Sequence, residues 1–244
     1  MKFYRAALCS LLAGAALVTA TVRFAPDSMG RDFLMQRATG KFTVADRVQE
    51  FGPQVEARWQ PYFARARVAY PPTKIILLGL KQEKRLEIYA DDNGKWKWVR
   101  SLPILKASGH AGPKLREGDY QVPEGFYPVE ALNPNSSFHL ALRVGYPNAA
   151  DRQIAAREGR TDLGGDIMIH GGAASIGCLA MGDQVAEDLF VLAAQVGREN
   201  VQIALAPRDF RVEKLQADAS RPAWLEARYR KLDELMKTLP LEHQ

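Results

Sequence analysis

Apolar side chains upstream of residue 70 recur with the period of an α-helix. They stand three or four positions apart, at Val44, Val48, Phe51, Val55, Trp59 and Phe63, which is the spacing of one helical face. Pro71 and Pro72 follow, and the residue before a proline is disfavoured in helical conformation. The pattern predicts a helical N-terminal region within residues 26–72 that ends at these prolines.

From Lys74 onward the apolar runs are short and are separated by turn residues. Strands are predicted for Ile75 to Leu80, Arg85 to Ala90 and Trp96 to Leu102. Asn93-Gly94 lies between the last two runs, and an Asn-Gly pair is a strong signal for a hairpin turn. This part of the chain is therefore predicted to be rich in β-structure.

The remainder of the chain alternates between helical and strand patterns. A short polar helix with a turn is predicted in residues 149–165, helices for Asp183 to Val196 and Pro222 to Leu239, and a strand for Val201 to Leu205. The fold class that follows is α+β, mainly β with flanking helices. We expect one main domain in residues 73–207 and a C-terminal amphipathic helix in residues 208–244.

The first 25 residues have the layout of an export signal. Lys2 and Arg5 precede an uncharged apolar run from Ala6 to Val22, as in a secretory signal peptide. Cleavage is expected after Ala20, and an uncleaved membrane anchor is the alternative, because about 17 apolar residues can span a bilayer. The predicted location is the periplasm, with membrane contact only through such an anchor.

Overall composition is that of an ordinary folded domain with a modest positive charge. Of the 244 residues, 47% are hydrophobic and 25% are charged, with a net charge of +5. The lysines and arginines are spread along the chain rather than gathered in one block, so nucleic-acid binding is not predicted. A basic surface favours an anionic wall polymer or a membrane surface as a partner.

Candidate chemistry is concentrated in residues 167–181, where His170 stands close to Cys178. A thiol is a poor nucleophile until a base takes its proton, and an imidazole can do so and later protonate a leaving amine. Backbone N–H groups around Gly177 and Cys178 are candidates for an oxyanion hole. A helix starting near Met181 would direct its dipole at the thiol and favour a thiolate. The pattern indicates acyl transfer at an amide.

Metal and serine chemistry are weaker alternatives. The chain has four histidines, and none forms a His-Glu-x-x-His or paired-cysteine arrangement. Asp166 and His170 are four residues apart, but two ligands are too few for a zinc site. Ser175 is not the centre of a Gly-x-Ser-x-Gly or Ser-x-x-Lys motif. We therefore predict no metal and no cofactor.

His170-Gly171 followed by Ser175-Ile176-Gly177-Cys178 resembles the signature of the L,D-transpeptidase catalytic (YkuD-type) family. The likeness extends upstream through residues 84–89 and 122–129, and covers about residues 73–206. Residues 137–149 resemble a YafK-like branch of that family. Two departures stand out. Ala180 occupies the position of the arginine that family members commonly carry two residues after the cysteine, and the histidine that they often carry upstream of the His-Gly has no counterpart at that spacing, since His139 lies much further away.

The resemblance implies a β-sandwich catalytic domain and a cysteine thioester on the L-centre of diaminopimelate. Cys178 and His170 are then the catalytic pair, Gly171, Ser175 and Gly177 shape the loop and the oxyanion hole, and a backbone carbonyl orients the histidine. Residues implied at the substrate side are His139, Tyr146 and Asn148, although a plain strand position explains His139 as well.

The implied substrate is the peptidoglycan stem peptide, with a wall-attached protein as a further partner. An amine acceptor would make the protein a transpeptidase, whereas water would make it an endopeptidase or amidase that cuts a diaminopimelate link. Transfer to an amine is the leading prediction, and the replacement of arginine by Ala180 makes hydrolysis its main rival. A wall-binding module without catalysis is the third alternative.

Overall fold

The chain folds around a mixed nine-stranded sheet. The structure is a computed structural model that describes residues 40–242. Its helices are α1 (Val44–Ala66), α2 (Ala149–Arg157), α3 (Asp183–Val196) and α4 (Ala223–Thr238). Its strands are β1 (Ile75–Leu80), β2 (Arg85–Asp92), β3 (Lys95–Pro103), β4 (Lys106–Ala107), β5 (Gly125–Ser136), β6 (His139–Val144), β7 (Met168–His170), β8 (Leu179–Ala180) and β9 (Val201–Ala206).

The strand β5 joins two halves of the sheet. Strand order is β3-β2-β1-β9-β5-β6-β7-β8-β4. The beginning of β5, from Gly125 to Pro128, pairs with β9, and its later part, from Val129 to Ser136, pairs with β6. The pairs β1/β9 and β7/β8 are parallel, and the other pairs are antiparallel.

The strand β1 is buried on both faces, and this explains its unbroken apolar sequence. Ile75 and Leu77 face the main core, while Ile76 and Leu78 face a second core. Successive side chains of a strand point to opposite faces, so a strand covered on both sides reads as a continuous apolar run. The main core fills the space between the two halves of the sheet and the helices α1 and α3.

The helix α1 forms although it contains Pro53 and Pro61. An interior proline costs a helix about 3 kcal/mol or more, whereas fully burying one large apolar side chain contributes about 1.5–3 kcal/mol. The apolar stripe buries Phe51, Val55, Trp59 and Phe63 in the main core, which outweighs the prolines. The helix predicted from this spacing is confirmed, but it ends at Ala66, where Arg67 takes a left-handed conformation, rather than at Pro71.

The helix α4 covers the outer face of the first half of the sheet. Leu225, Tyr229, Leu232 and Met236 fill the second core. The Tyr229 hydroxyl donates to the buried Glu124 carboxylate at 2.5 Å, and Arg228 pairs with Asp151 at 2.7 Å. The C-terminal helix predicted from its apolar period is therefore an integral layer of the fold.

The predicted α+β class is confirmed by this sheet and its four helices. Within residues 40–242, no helix combines the length and the apolar character needed to cross a bilayer. The predicted signal or anchor, residues 1–25, lies outside the described residues. The division of the chain into domains at residues 26, 73 and 208 stays a prediction.

Candidate active site

The catalytic candidate His170 is the last residue of β7, in the middle of the second half of the sheet. It pairs with Ala141 of β6 on one side and with Ala180 of β8 on the other. The side chain is only 2% exposed. The apolar residues Met168 and Ile169 precede it in this short strand, and pairing on both edges fixes where the imidazole lies.

A backbone carbonyl orients the His170 imidazole. Nδ1 lies 2.6 Å from the carbonyl oxygen of Gly171, and a carbonyl can only accept, so Nδ1 carries the proton and Nε2 has a free lone pair. The Phe138 ring covers the imidazole with a centroid distance of 4.7 Å. Burial lowers the pKa of His170 below its ordinary value of 6.5. The imidazole is therefore neutral near pH 7, as a general base must be.

The register of β7 and β8 brings Cys178 to the same cleft as His170. Ile169 pairs with Leu179 in this parallel ladder, so Cys178, one residue earlier, lies next to Met168. Because residues two apart share a face of a strand, Cys178 and His170 point to the same side. Both line a cleft of about 390 Å³.

The Cys178 side chain rests as a thiol rather than as a thiolate. Sγ lies 3.6 Å from the carbonyl oxygen of Asp166, which accepts its proton. Burial raises the pKa of Cys178 above its ordinary value of 9.0, more than backbone hydrogen bonding from Met168 and the charge of Lys114 lower it. The expected thiolate, held by the helix dipole, is therefore wrong, because α3 begins only at Asp183 and desolvation dominates.

The glycine loop around this pair is tightly packed. A Cβ on Gly171 would lie 2.5 Å from Oδ1 of Asp183 and 2.7 Å from the carbonyl oxygen of Phe138. The same Oδ1 accepts a hydrogen bond from the Gly172 N–H at 2.8 Å. Asp183, which the sequence places near the site, thus holds the turn rather than the imidazole Nδ1.

Gly177 and Ser175 set the backbone just before the cysteine. Gly177 has φ of +122°, a conformation that L side chains rarely adopt. The Ser175 hydroxyl donates to the carbonyl oxygen of Cys178 at 2.6 Å. Both residues therefore shape the loop, and the oxyanion hole at Gly177 stays a prediction.

The three residues predicted at the substrate side lie elsewhere in the described chain and do not line this cleft. His139 is buried, with Nε2 3.1 Å from Glu187 Oε1. The Tyr146 hydroxyl donates to the carbonyl oxygens of Lys114 and Leu163, and Asn148 caps the start of α2. Their geometry explains structural roles, and substrate contact stays a prediction for all three.

Sequence reasoning missed Lys114, a buried cation in the wall of the cleft. Lys114 lies in the loop between β4 and β5, where the nearby His110 is exposed. Lys114 is only 7% exposed and lines the cleft with Cys178 and His170. Ala180, in contrast, is a fully buried residue of β8 that brings no charge to the site. No spacing rule distinguishes one buried lysine in a loop from its exposed neighbours.

Within residues 40–242, no three His, Cys, Asp or Glu side chains lie close enough together to hold a metal ion. A thiol and a neutral imidazole in one cleft can instead support covalent acyl transfer.

The α+β scaffold with this thiol and imidazole is that of a known enzyme class. A family model for the L,D-transpeptidase catalytic domain, YkuD, matches residues 73–203. The match covers more than half of the chain, so the chain belongs to this family, and the resemblance found in the sequence is confirmed.

Among curated proteins the chain is similar to YafK from Escherichia coli strain K12, which is named as a candidate L,D-transpeptidase. The two are 39% identical over 132 residues, which are 52% of this chain and 51% of the relative. YafK from Escherichia coli O157:H7 matches to the same extent. The chain thus spans about half the length of the curated relatives it matches.

Solved structures show a more distant likeness. Pgp2 from Campylobacter jejuni, described as a helical cell shape determining protein, is 27% identical with a TM-score of 0.46, covering 62% of this chain and 52% of that one. Bd1075 from Bdellovibrio bacteriovorus is 16% identical with a TM-score of 0.40, covering 69% of this chain and 57% of that one.

Proposed function

We propose that the protein is a cysteine acyltransferase of the L,D-transpeptidase type, acting on diaminopimelate-containing stem peptides of peptidoglycan. One observation carries the proposal: Cys178 and His170 line the same cleft, and the Gly171 carbonyl holds the Nδ1 proton of His170. Nε2 is thereby left as the base for the thiol. The family assignment and the similarity to YafK support this substrate class.

The first half of the reaction forms a thioester. His170 Nε2 takes the proton of Cys178, and Sγ attacks the carbonyl carbon at the L-centre of diaminopimelate. Backbone N–H groups at Gly177 and Cys178 are proposed to stabilise the oxyanion. The C–N bond then breaks, the imidazolium gives its proton to the leaving amine, and the acyl group stays on sulfur.

The second half transfers the acyl group to an amine. The incoming amine attacks the thioester carbonyl and loses a proton to His170, the C–S bond breaks, and the thiolate of Cys178 recovers a proton from the imidazolium. A second stem peptide would give a cross-link, and a wall-attached protein would become linked to the polymer. Substrates of this kind fit the exported, periplasmic location predicted from residues 1–25.

Hydrolysis of an existing diaminopimelate link is the second candidate. The specific observation is Ala180, a fully buried methyl side chain in β8 at the position where the resemblance leads one to expect arginine. The site therefore lacks a cation from that position to bind a substrate carboxylate, and water would take the place of the amine acceptor.

Mass spectrometry of purified peptidoglycan fragments tests both candidates. Monomeric and diaminopimelate-linked fragments are incubated with the full 244-residue chain and with Cys178→Ala. New cross-linked or amine-exchanged products, absent with the variant, support transfer. Loss of existing links with release of free stems supports hydrolysis. If both proteins leave every fragment unchanged, the proposed function is wrong for these substrates.

The intermediate can be trapped separately on the protein itself. A rapid acid quench followed by peptide mapping should find an acyl mass on Cys178 in the wild-type chain. Mapping also separates this thiol from Cys9, the other cysteine of the sequence. His170→Gln removes the base without removing the thiol, so its adduct should form far more slowly.

A further inference from the structure

The catalytic cleft is lined by charges of both signs. Among its lining residues in the described chain, Lys114 is the one permanent cation, and Glu117 and Asp166 are carboxylates. Arg143 pairs with Asp166 at 2.9 Å. A substrate that enters this cleft therefore meets one lysine and one carboxylate, Glu117, that the structure pairs with no cation in residues 40–242.

Lys114 is held in place by its own loop. Nζ donates to Asp119 Oδ1 at 2.7 Å and to the carbonyl oxygen of Arg116 at 2.9 Å. The other Asp119 oxygen accepts from the backbone N–H groups of Leu115 and Arg116. An ammonium has three donors, and these two bonds leave the third for a ligand. The loop thus presents a fixed cation at the cleft wall.

Glu117 lines the same cleft three residues further along this loop. Its carboxylate lies directly over Gly164, where an added Cβ would come within 1.9 Å of Oε2. The Glu117 N–H donates to the carbonyl oxygen of Asp162 at 3.1 Å. The missing side chain at Gly164 leaves room for this carboxylate, and the backbone hydrogen bond to Asp162 holds residue 117 at the cleft while its side chain stays exposed.

We propose that Lys114 and Glu117 form a subsite for a zwitterionic amino-acid head, in which Lys114 binds its carboxylate and Glu117 its ammonium. The proposal rests on the proposed function, because the D-centre of diaminopimelate carries such a head at the opposite end of the residue whose L-centre carbonyl Cys178 attacks. A held lysine and an exposed carboxylate on one short loop complement the opposite charges of that head. They make the free D-centre the feature by which the enzyme selects its substrate.

The test changes one charge on the protein and one on the substrate. Disaccharide tetrapeptides with the D-centre carboxylate free or amidated are compared by kcat/KM for acylation of the full chain. Amidation should lower kcat/KM of the wild type about tenfold, the scale of one charge-assisted hydrogen bond. In Lys114→Met the two substrates should react alike, because the cation that distinguished them is absent.

The ratio of kcat/KM for the free substrate to kcat/KM for the amidated substrate separates recognition from catalysis. Lys114→Met is expected to slow both substrates, since loss of its charge also raises the pKa of the Cys178 thiol further. Lys114→Arg keeps the charge and should restore the ratio. Lys81→Met is the matched control, because Lys81 is a second buried lysine, paired with Glu124 at 2.9 Å, that anchors the same loop outside the cleft. It should keep the wild-type ratio.

Glu117→Gln provides a second test of the subsite, and this substitution does not disturb a buried ion pair. It should abolish discrimination between a free and an acetylated D-centre amine, and its exposed position protects the fold. If a thioester forms on Cys178 but Lys114→Met and Glu117→Gln still discriminate as the wild type does, the subsite is refuted and the proposed function stands. If no thioester forms with any of the substrates, the proposed function itself fails.

Discussion

Adding one methyl group at Gly171 should damage the site more than its size suggests. Its Cβ would lie 2.5 Å from Asp183 Oδ1, 2.7 Å from the carbonyl oxygen of Phe138 and 3.1 Å from the Cβ of His139. The Phe138 oxygen belongs to the backbone and cannot rotate away. Either the Gly171 peptide or its surroundings must shift, and the Gly171 carbonyl is the group that orients His170.

The magnitude follows from these contacts. Overpacking by a methyl group costs about 1–3 kcal/mol, and a hydrogen bond to a charged group, here from the Gly172 N–H to Asp183, contributes about 1.5–3 kcal/mol. With partial relaxation we expect Gly171→Ala to lower the free energy of unfolding by about 2–4 kcal/mol. For a chain of this length that is a fall in Tm of roughly 5–15 °C.

Thermal denaturation and the rate of Cys178 acylation are the two assays. Gly165→Ala is the matched control, because its Cβ would meet only the Tyr146 carbonyl oxygen at 3.9 Å and Gly165 also lines the cleft. Acylation should slow at least tenfold in Gly171→Ala and little in the control, since a small misplacement of a catalytic group costs up to about a hundredfold. Equal Tm values and rates in the two variants would refute the steric reasoning.

Three further predictions concern pH, the buried histidine and metals. The acylation rate should persist below pH 6.5, because burial lowers the pKa of His170; a rate that halves at pH 6.5 would contradict this prediction. Iodoacetamide labelling of Cys178 should rise only above pH 9.0, because burial raises the pKa of its thiol. His139→Ala should lower the free energy of unfolding by about 2–3 kcal/mol in urea denaturation, because it removes a buried ring packed against Phe51 and one of the two partners of Glu187, which keeps Arg58. The exposed His110→Ala should change it by less than about 0.5 kcal/mol. Activity should survive a chelator, and its loss with recovery on zinc addition would contradict the thiol mechanism.

Elements with a strong local signal were predictable from sequence. The helix Asp183–Val196 is found with the predicted bounds, and the hairpin turn lies at Asn93-Gly94, where both residues have positive φ. Each depends on a period or a turn pair that a few neighbouring residues encode.

Features that depend on long-range packing were not predictable. Pro53 and Pro61 lower the helical propensity of α1, and the helix forms because its apolar face is buried against the sheet. The pKa of Cys178 depends on its burial in the folded chain, and the backbone at Lys114 is held by the Tyr146 hydroxyl, 32 residues away. The pattern of neighbouring residues in the sequence does not encode contacts between residues that are far apart in the chain.

The strand β5 has a consequence for how the protein unfolds. Because its first residues hydrogen bond to β9 and its later residues to β6, neither half of the sheet can open without exposing backbone groups of the other. Amide hydrogens on both sides of β5 should therefore exchange with solvent through the same global opening. The cleft and the distant α4 layer would then share a single cooperative unit, and a destabilising change beneath α4 would shorten the lifetime of the active site.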